Sequence, residues 1–273
     1  MAADRRSSHH ASLRARAGIA PLHIGALMLA EILIVFASAS EVQAYAGADM
    51  TAGDVFYNIS RGMMVQEYFA SGRTFSIPVL WLTNILVLLL GAVMLAMPSR
   101  DGIERGRMMA SGSRTHYWLS RCVLALIWPL LALITRLACS EAFALAWGGS
   151  AAMGQVSDGA CILFESQGVV VWGGAQLVAT VLIELVGGCV MCLALASMAL
   201  ATHAPIACMV AIGYVVVGVY SCSPLFLTNW MMAYRTVEYG CGLSAVLGAV
   251  AGVCVLLSCC VYAHVRLRRR DVI

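Results

Sequence analysis

Two acids stand inside long apolar stretches, Glu31 and Glu184. An ionised carboxylate is costly there, so each must take a proton, a cation or a positive side chain, and each is a candidate for ion handling. The plainer reading is a Glu hydrogen-bonded between helices. At ~1.5 Å per residue, Glu31 lies about 12 residues into its stretch and Glu184 about 16 into its own, both near mid-depth. Arg136 lies about 18 residues into a third stretch, close to its far end. That position suits Glu141 better than Glu184 as a partner, and snorkelling toward the interface is enough to explain the Arg. Other chemistry is poorly represented. There is no Lys, hence no GxxxxGK[ST] loop, and neither HExxH nor GxSxG occurs. Cys189 and Cys192 have CxxC spacing, but on one apolar stretch with no flanking His or second pair, so no metal site is expected. Most other cysteines sit in apolar stretches and should behave as small hydrophobes. Cys139, Cys161, Cys222 and Cys241 lie near the ends of such stretches, where pairing is open. Asn58-Ile-Ser60 is a glycosylation sequon, relevant only in a eukaryotic secretory pathway. The chain is therefore not expected to be an enzyme. Any active work draws on a partner or an ion gradient.

The elements that carry these residues are membrane helices. The composition is 61% hydrophobic and 11% charged, with a mean hydropathy of +0.86. A soluble domain carries about 25% charged residues. Thr74 to Ser99 and Tyr239 to Val265 contain no charge. Nor does the stretch between Glu184 and Arg235, which is long enough for two crossings at roughly 20 residues each. We expect an all-α fold with six transmembrane helices, at 20–40, 76–97, 118–139, 168–199, 205–227 and 240–264. A short turn at Ala201 to Pro205 separates the fourth from the fifth.

Charge orients them. Residues 1–19 carry four Arg and one Asp, loop 98–121 five Arg and two acids, and the tail 266–273 four Arg and one Asp. Segment 41–75 has two Arg and four acids, and 140–167 has three acids and no base. The positive-inside bias then places both termini in the cytoplasm, in agreement with an even span count, which requires them to share a side. The division is a basic N-terminal segment (1–19), a transmembrane domain (20–265) and a basic tail (266–273). The N-terminal segment does not read as a cleavable signal, because the apolar stretch behind it is long and holds Glu31. It is either an amphipathic helix on the inner leaflet or a disordered basic tail. Ser223 to Glu238 is too polar to span, and reads as an interfacial helix or a re-entrant element packed against protein.

The loop 98–121 has its own logic. Ile103, Arg107 and Ala110 share one face of a short helix, with Met108 and Met109 beside them. Gly112 is placed to end that helix and Ser113 to cap the next. Trp118 and Arg121 suit a membrane interface. A short helix tied to two spans can transmit a push from a soluble domain. The plainer reading is a solvated basic loop.

This loop resembles that of ABC-2-type transporter permeases, the membrane subunits of bacterial ATP-binding-cassette exporters. The matching positions are Arg100, Asp101, Gly106, Ser113-Arg114, Tyr117-Trp118 and Ser120-Arg121. Arg121 stands where that family often has Lys, and keeps the charge. Gly62, the run Phe75 to Trp81, and Met232 with Arg235 are similar too. The resemblance covers most of the chain by topology. It implies a six-span subunit of the bacterial plasma membrane that binds no cofactor itself. Its partners would be a separate ATP-binding subunit carrying ATP and Mg, a second permease copy or related permease, and the lipid bilayer, with no nucleic acid. Arg100, Asp101, Glu104, Arg105, Arg107, Met108, Met109, Ser113 and Arg114 would form the ATPase-coupling loop. Exposed ion pairs contribute little each, so the Met and Ile face should carry much of that docking. The cargo class would be amphipathic, such as a peptide, drug or lipid-like molecule. Two other readings stand beside it. One is an ion-coupled carrier using Glu31 and Glu184, and the other an immunity or sensor-accessory membrane protein.

Overall fold

The computed structural model describes residues 2–63, 78–96, 113–154, 156–165, 174–221, 223–239 and 243–269. Among them the fold is all-α, with one isolated bridge between Thr51 and Ser150. Helix α1 (Ala2–Ala46) runs without a break through the expected boundary near residue 20. It stops at Gly47, whose φ of 58° is the left-handed conformation that closes a helix with no Cβ penalty. A 3-10 turn (Gly47–Asp49) leads into α2 (Ala52–Ser60). Then come α3 (Val79–Ala96) and α4 (Arg114–Ala146). Ser113 caps α4 as expected, its hydroxyl accepting from the His116 N–H at 3.1 Å. Gly148, at φ 81°, closes the other end.

Helix α5 (Asp158–Glu165) is short, whereas α6 (Gly174–Ala201) and α7 (Ala204–Ser221) are long. The turn between α6 and α7 is where the sequence places it, and Pro205 sits in the first turn of α7, where its missing N–H costs no hydrogen bond. Helices α8 (Leu227–Trp230) and α9 (Ala233–Tyr239) precede the last long helix, α10 (Leu243–Arg269).

Five of these helices are long and apolar enough to cross a membrane: stretches His23–Asp49, Thr115–Ala146, Leu177–Ala199, Ala204–Ser221 and Gly248–Val265. Val79–Met94 is apolar but shorter. The expected fifth span reached too far. The chain turns at 223–226 and folds back in α8, and Thr228 to Arg235 is buried. The segment packs against protein, and it does so as the two short helices α8 and α9. The surface is apolar as well: Leu33, Leu130, Val186, Met209, Leu257 and Val261 point outward. Apolar side chains outside with charges inside is the arrangement a bilayer selects, and these helices point to a multi-pass membrane protein.

Helix α4 packs on α1, α2, α3 and α6, and α10 packs chiefly on α6. Close approach is set by glycine. A Cβ on Gly91 would lie 2.2 Å from the Trp128 ring, so the indole packs directly against the α3 backbone. Two apolar clusters result. One gathers around α2 (Met50, Val55, Phe56, Tyr57, Ile59), and the other runs along α3, α6 and α7.

Helix α2 is the unexpected element. All nine of its residues are buried, though it lies in a segment read only as a polar loop. The signal was present as a capping box. The Thr51 hydroxyl accepts from the Asp54 N–H at 3.1 Å, and the Asp54 carboxylate accepts from the Thr51 N–H at 2.8 Å. Thr51→Ala should cost about 1 kcal/mol, read as a lower thermal midpoint in detergent, and an unchanged midpoint would mean the box is not holding α2.

Candidate functional site

Glu31 on α1, Arg136 on α4 and Glu184 on α6 meet inside the bundle. Arg136 Nη1 donates to Glu184 Oε2 at 2.9 Å, and Arg136 Nε lies 3.7 Å from Glu31 Oε2. All three are buried, with Glu31 at 0% exposure. The Phe56 ring of α2 covers the guanidinium, its centroid 6.0 Å from Cζ, within cation–π range. The triad marks a boundary along its helices. Ile34, Ala144 and Leu177 on the α2 side belong to one apolar cluster, and Leu27, Trp128 and Met191 on the other side to the second.

This pairing corrects the expectation that Arg136 would turn to Glu141, which is exposed. The error came from the helix ends. Helix α4 continues to Ala146, so Arg136 lies about 15 Å from its end at ~1.5 Å per residue, and Glu184 lies at the same depth counted from Gly174 of α6. A better signal was available in charge itself. Lone charges of opposite sign in apolar helices have only one another to pair with.

The end of the bundle above the triad is closed by a layer of short elements. Ala52 N–H donates to Ser150 O at 2.9 Å and Ser150 N–H to Met50 O at 2.9 Å. The Asp54 carboxylate also accepts from the Ser157 N–H at 3.0 Å, tying α2 to the start of α5. Helix α2 does not span. Burial pushes its Asp54 carboxyl up from the ordinary range, and the hydrogen bonds from Thr51 and Ser157 pull it back. Ser38 Oγ donates to Val55 O at 2.8 Å, and Glu41 on α1 accepts from Asn58 Nδ2 at 2.9 Å and pairs with Arg61 at 3.4 Å. Asn58 is therefore buried and engaged, and the sequon is not presented for modification.

A second buried arginine clamps this layer. Arg235, at 0% exposure, donates from Nε to Met63 O at 3.0 Å, from Nη1 to Gly218 O at 3.3 Å, and from Nη2 to Val219 O at 2.7 Å. It also bonds Asn229 Oδ1. Gly218 and Val219 lie in the last turn of α7, where carbonyls lack helical partners and the helix dipole favours a cation. Nearby, the Tyr234 N–H donates to Arg61 O at 3.1 Å. Gly62 has a φ of 68°, and a Cβ there would sit 2.4 Å from Met232 Cγ. The segments 61–63 and 231–235, distant in sequence, are thus bolted together. The resemblance singled out Gly62, Met232 and Arg235, but nothing in their spacing foretold the contact.

Of the expected coupling-loop residues, Arg100, Asp101, Glu104, Arg105, Arg107, Met108 and Met109 lie outside the described residues, as does the Arg114 side chain. Arg121, expected at an interface, is buried, its guanidinium 5.3 Å from the Tyr117 ring centroid. Cys222 and Cys241 lie outside the described residues, and Cys139 is a free thiol. Among the described residues no cluster of His, Cys, Asp and Glu has the makings of a metal site. Cys192 instead donates to Leu88 O at 3.7 Å.

The fold and site together define a class: an all-α protein of several long apolar helices with an ionic triad buried among them. Comparison with protein-family models, with curated proteins and with solved structures returns no match to this chain.

Proposed function

We propose that the chain is the membrane-spanning permease subunit of an ATP-binding-cassette exporter of the ABC-2 type. In this reading α3 is the second of six spans, both termini and loop 98–121 face the bacterial cytoplasm, and α2, α5, α8 and α9 close the outer side. The observation that supports it best is an ionic triad buried in an apolar-coated bundle beneath that layer of non-spanning helices. A simple anchor has no use for three costly buried charges. Non-spanning backbone packed at the end of a helix bundle is what a gate requires. No nucleotide-binding motif occurs in the chain, so ATP and Mg reside on a separate ATP-binding subunit, met through Arg105, Arg107, Met108 and Met109. A second permease copy or a related permease completes the pore. The cargo is an amphipathic peptide, drug or lipid-like molecule, in keeping with the predominantly apolar helices.

Affinity purification of the tagged chain in mild detergent, with ATPase activity assayed on the eluate, tests this. An ATP-binding subunit should co-purify with the native chain and be lost from the Arg107→Glu, Met108→Glu double variant. A folded native chain that never brings ATPase activity with it would sink the exporter reading.

A further inference from the structure

The ionic layer does not balance. Two carboxylates share one guanidinium, so the fully ionised triad carries one net negative charge among apolar side chains. The two acids are not equivalent. Glu184 accepts a 2.9 Å hydrogen bond, whereas both oxygens of the fully buried Glu31 lack a hydrogen-bond partner. Among the described residues, Arg136 is the one cation paired with Glu31. Helix α4 supplies Arg136 and the Cys139 thiol within electrostatic reach of Glu31, and α6 supplies Glu184. Helix α2 supplies the Phe56 ring and the Tyr57 phenol, and its Asp54 is held by Thr51 and Ser157. On α1 itself Glu41 is engaged with Asn58 and Arg61. Helix α5 carries Asp158, which is exposed, and the described side chains of α3 include no titratable group.

We infer that Glu31 is a proton-binding site at the centre of the helix bundle. A proton from water adds to one of its unpartnered carboxylate oxygens, giving a carboxylic acid beside a neutral Arg136–Glu184 ion pair, and the layer passes from −1 to 0. A metal cation is the wrong ligand, because the guanidinium 3.7 Å away repels it and the site offers no coordination shell. Proton release makes Glu31 a second claimant on Arg136, drawing the guanidinium toward α1 and away from α6. Occupancy thus sets how α1 is fastened to the α4–α6 pair. The inference is independent of the energy source and of any ATPase partner.

The test is infrared difference spectroscopy of the full chain in lipid nanodiscs through a pH titration, following the band of a buried carboxylic acid. The band should be present in the native protein, be lost in Glu31→Gln, shift in Glu31→Asp and stay in place in Glu184→Asp. It should be indifferent to sodium and potassium. Glu31→Gln mimics the protonated acid, so it should retain its circular dichroism and elution. The native thermal midpoint should fall as pH rises, since the folded state holds the extra proton, and that slope should be lost in Glu31→Gln. Absence of the band in the native protein, a band that follows Glu184→Asp instead, or one removed by sodium would each overturn the assignment.

Discussion

Arg136→Met is expected to destabilise the protein by about 3–5 kcal/mol, the range for breaking a buried ion pair on one side only. Met fills similar space, so packing is largely kept and electrostatics dominate. The substitution leaves Glu31 and Glu184 facing one another with no cation, and the only hydrogen bond to Glu184 in the triad is gone. Unfolding in mixed micelles, followed by Trp fluorescence, should show the loss. The decisive comparison adds Glu31→Gln and Glu184→Gln. Replacing a whole buried ionic set by neutral groups of similar volume is often neutral or stabilising. The triple variant should therefore recover most of the loss, whereas a steric origin would leave it as unstable as the single one. A single variant with an unchanged midpoint would mean that the triad is not formed in the membrane.

Arg235→Met should cost at least about 3 kcal/mol, because buried acceptors left unmet cost about 1–3 kcal/mol each. Met63 O, Gly218 O and Val219 O all accept from this guanidinium, and two of them belong to the last turn of α7, whose carbonyls have no helical partner. Arg235→Lys should rescue poorly. A single ammonium cannot reach three carbonyls spread over two segments as a planar five-donor fork does. Hydrogen exchange gives the local reading. Amides near 61–63 and at the end of α7 should lose protection together, since Arg235 joins them. If Lys protects both regions as well as Arg, the clamp described for this residue is wrong.

Spacing gives neither arginine's partner, although both arginines are plain in the sequence and charge alone points Arg136 to the two intramembrane acids. Spacing located Arg136 in its helix, but depth was counted from ends that were misplaced by several residues. An error of two turns is enough to pair the wrong charges. Asn58 and Asp54 read as loop residues because a nine-residue helix is too short to show a membrane period. The capping box at Thr51 was the one local signal, and a cap marks where a helix starts, not whether it is buried.

Hydropathy and charge along the chain set the class of solvent each stretch can face. Where a long charge-free run crosses lipid as a single segment, it is helical, since every backbone group has to be satisfied within the segment. Composition therefore suffices for the long helices, while Pro205 marks the turn after Ala201 and Ser113 the cap of α4. Tertiary structure alone decided that Glu31, Arg136 and Glu184 share one level, that α2 covers them, and that Arg235 joins residues 61–63 to the end of α7. Those outcomes depend on the rotation and offset of whole helices. These are set by the sum of many weak contacts, such as the Trp128 ring on Gly91, and no local spacing encodes that sum.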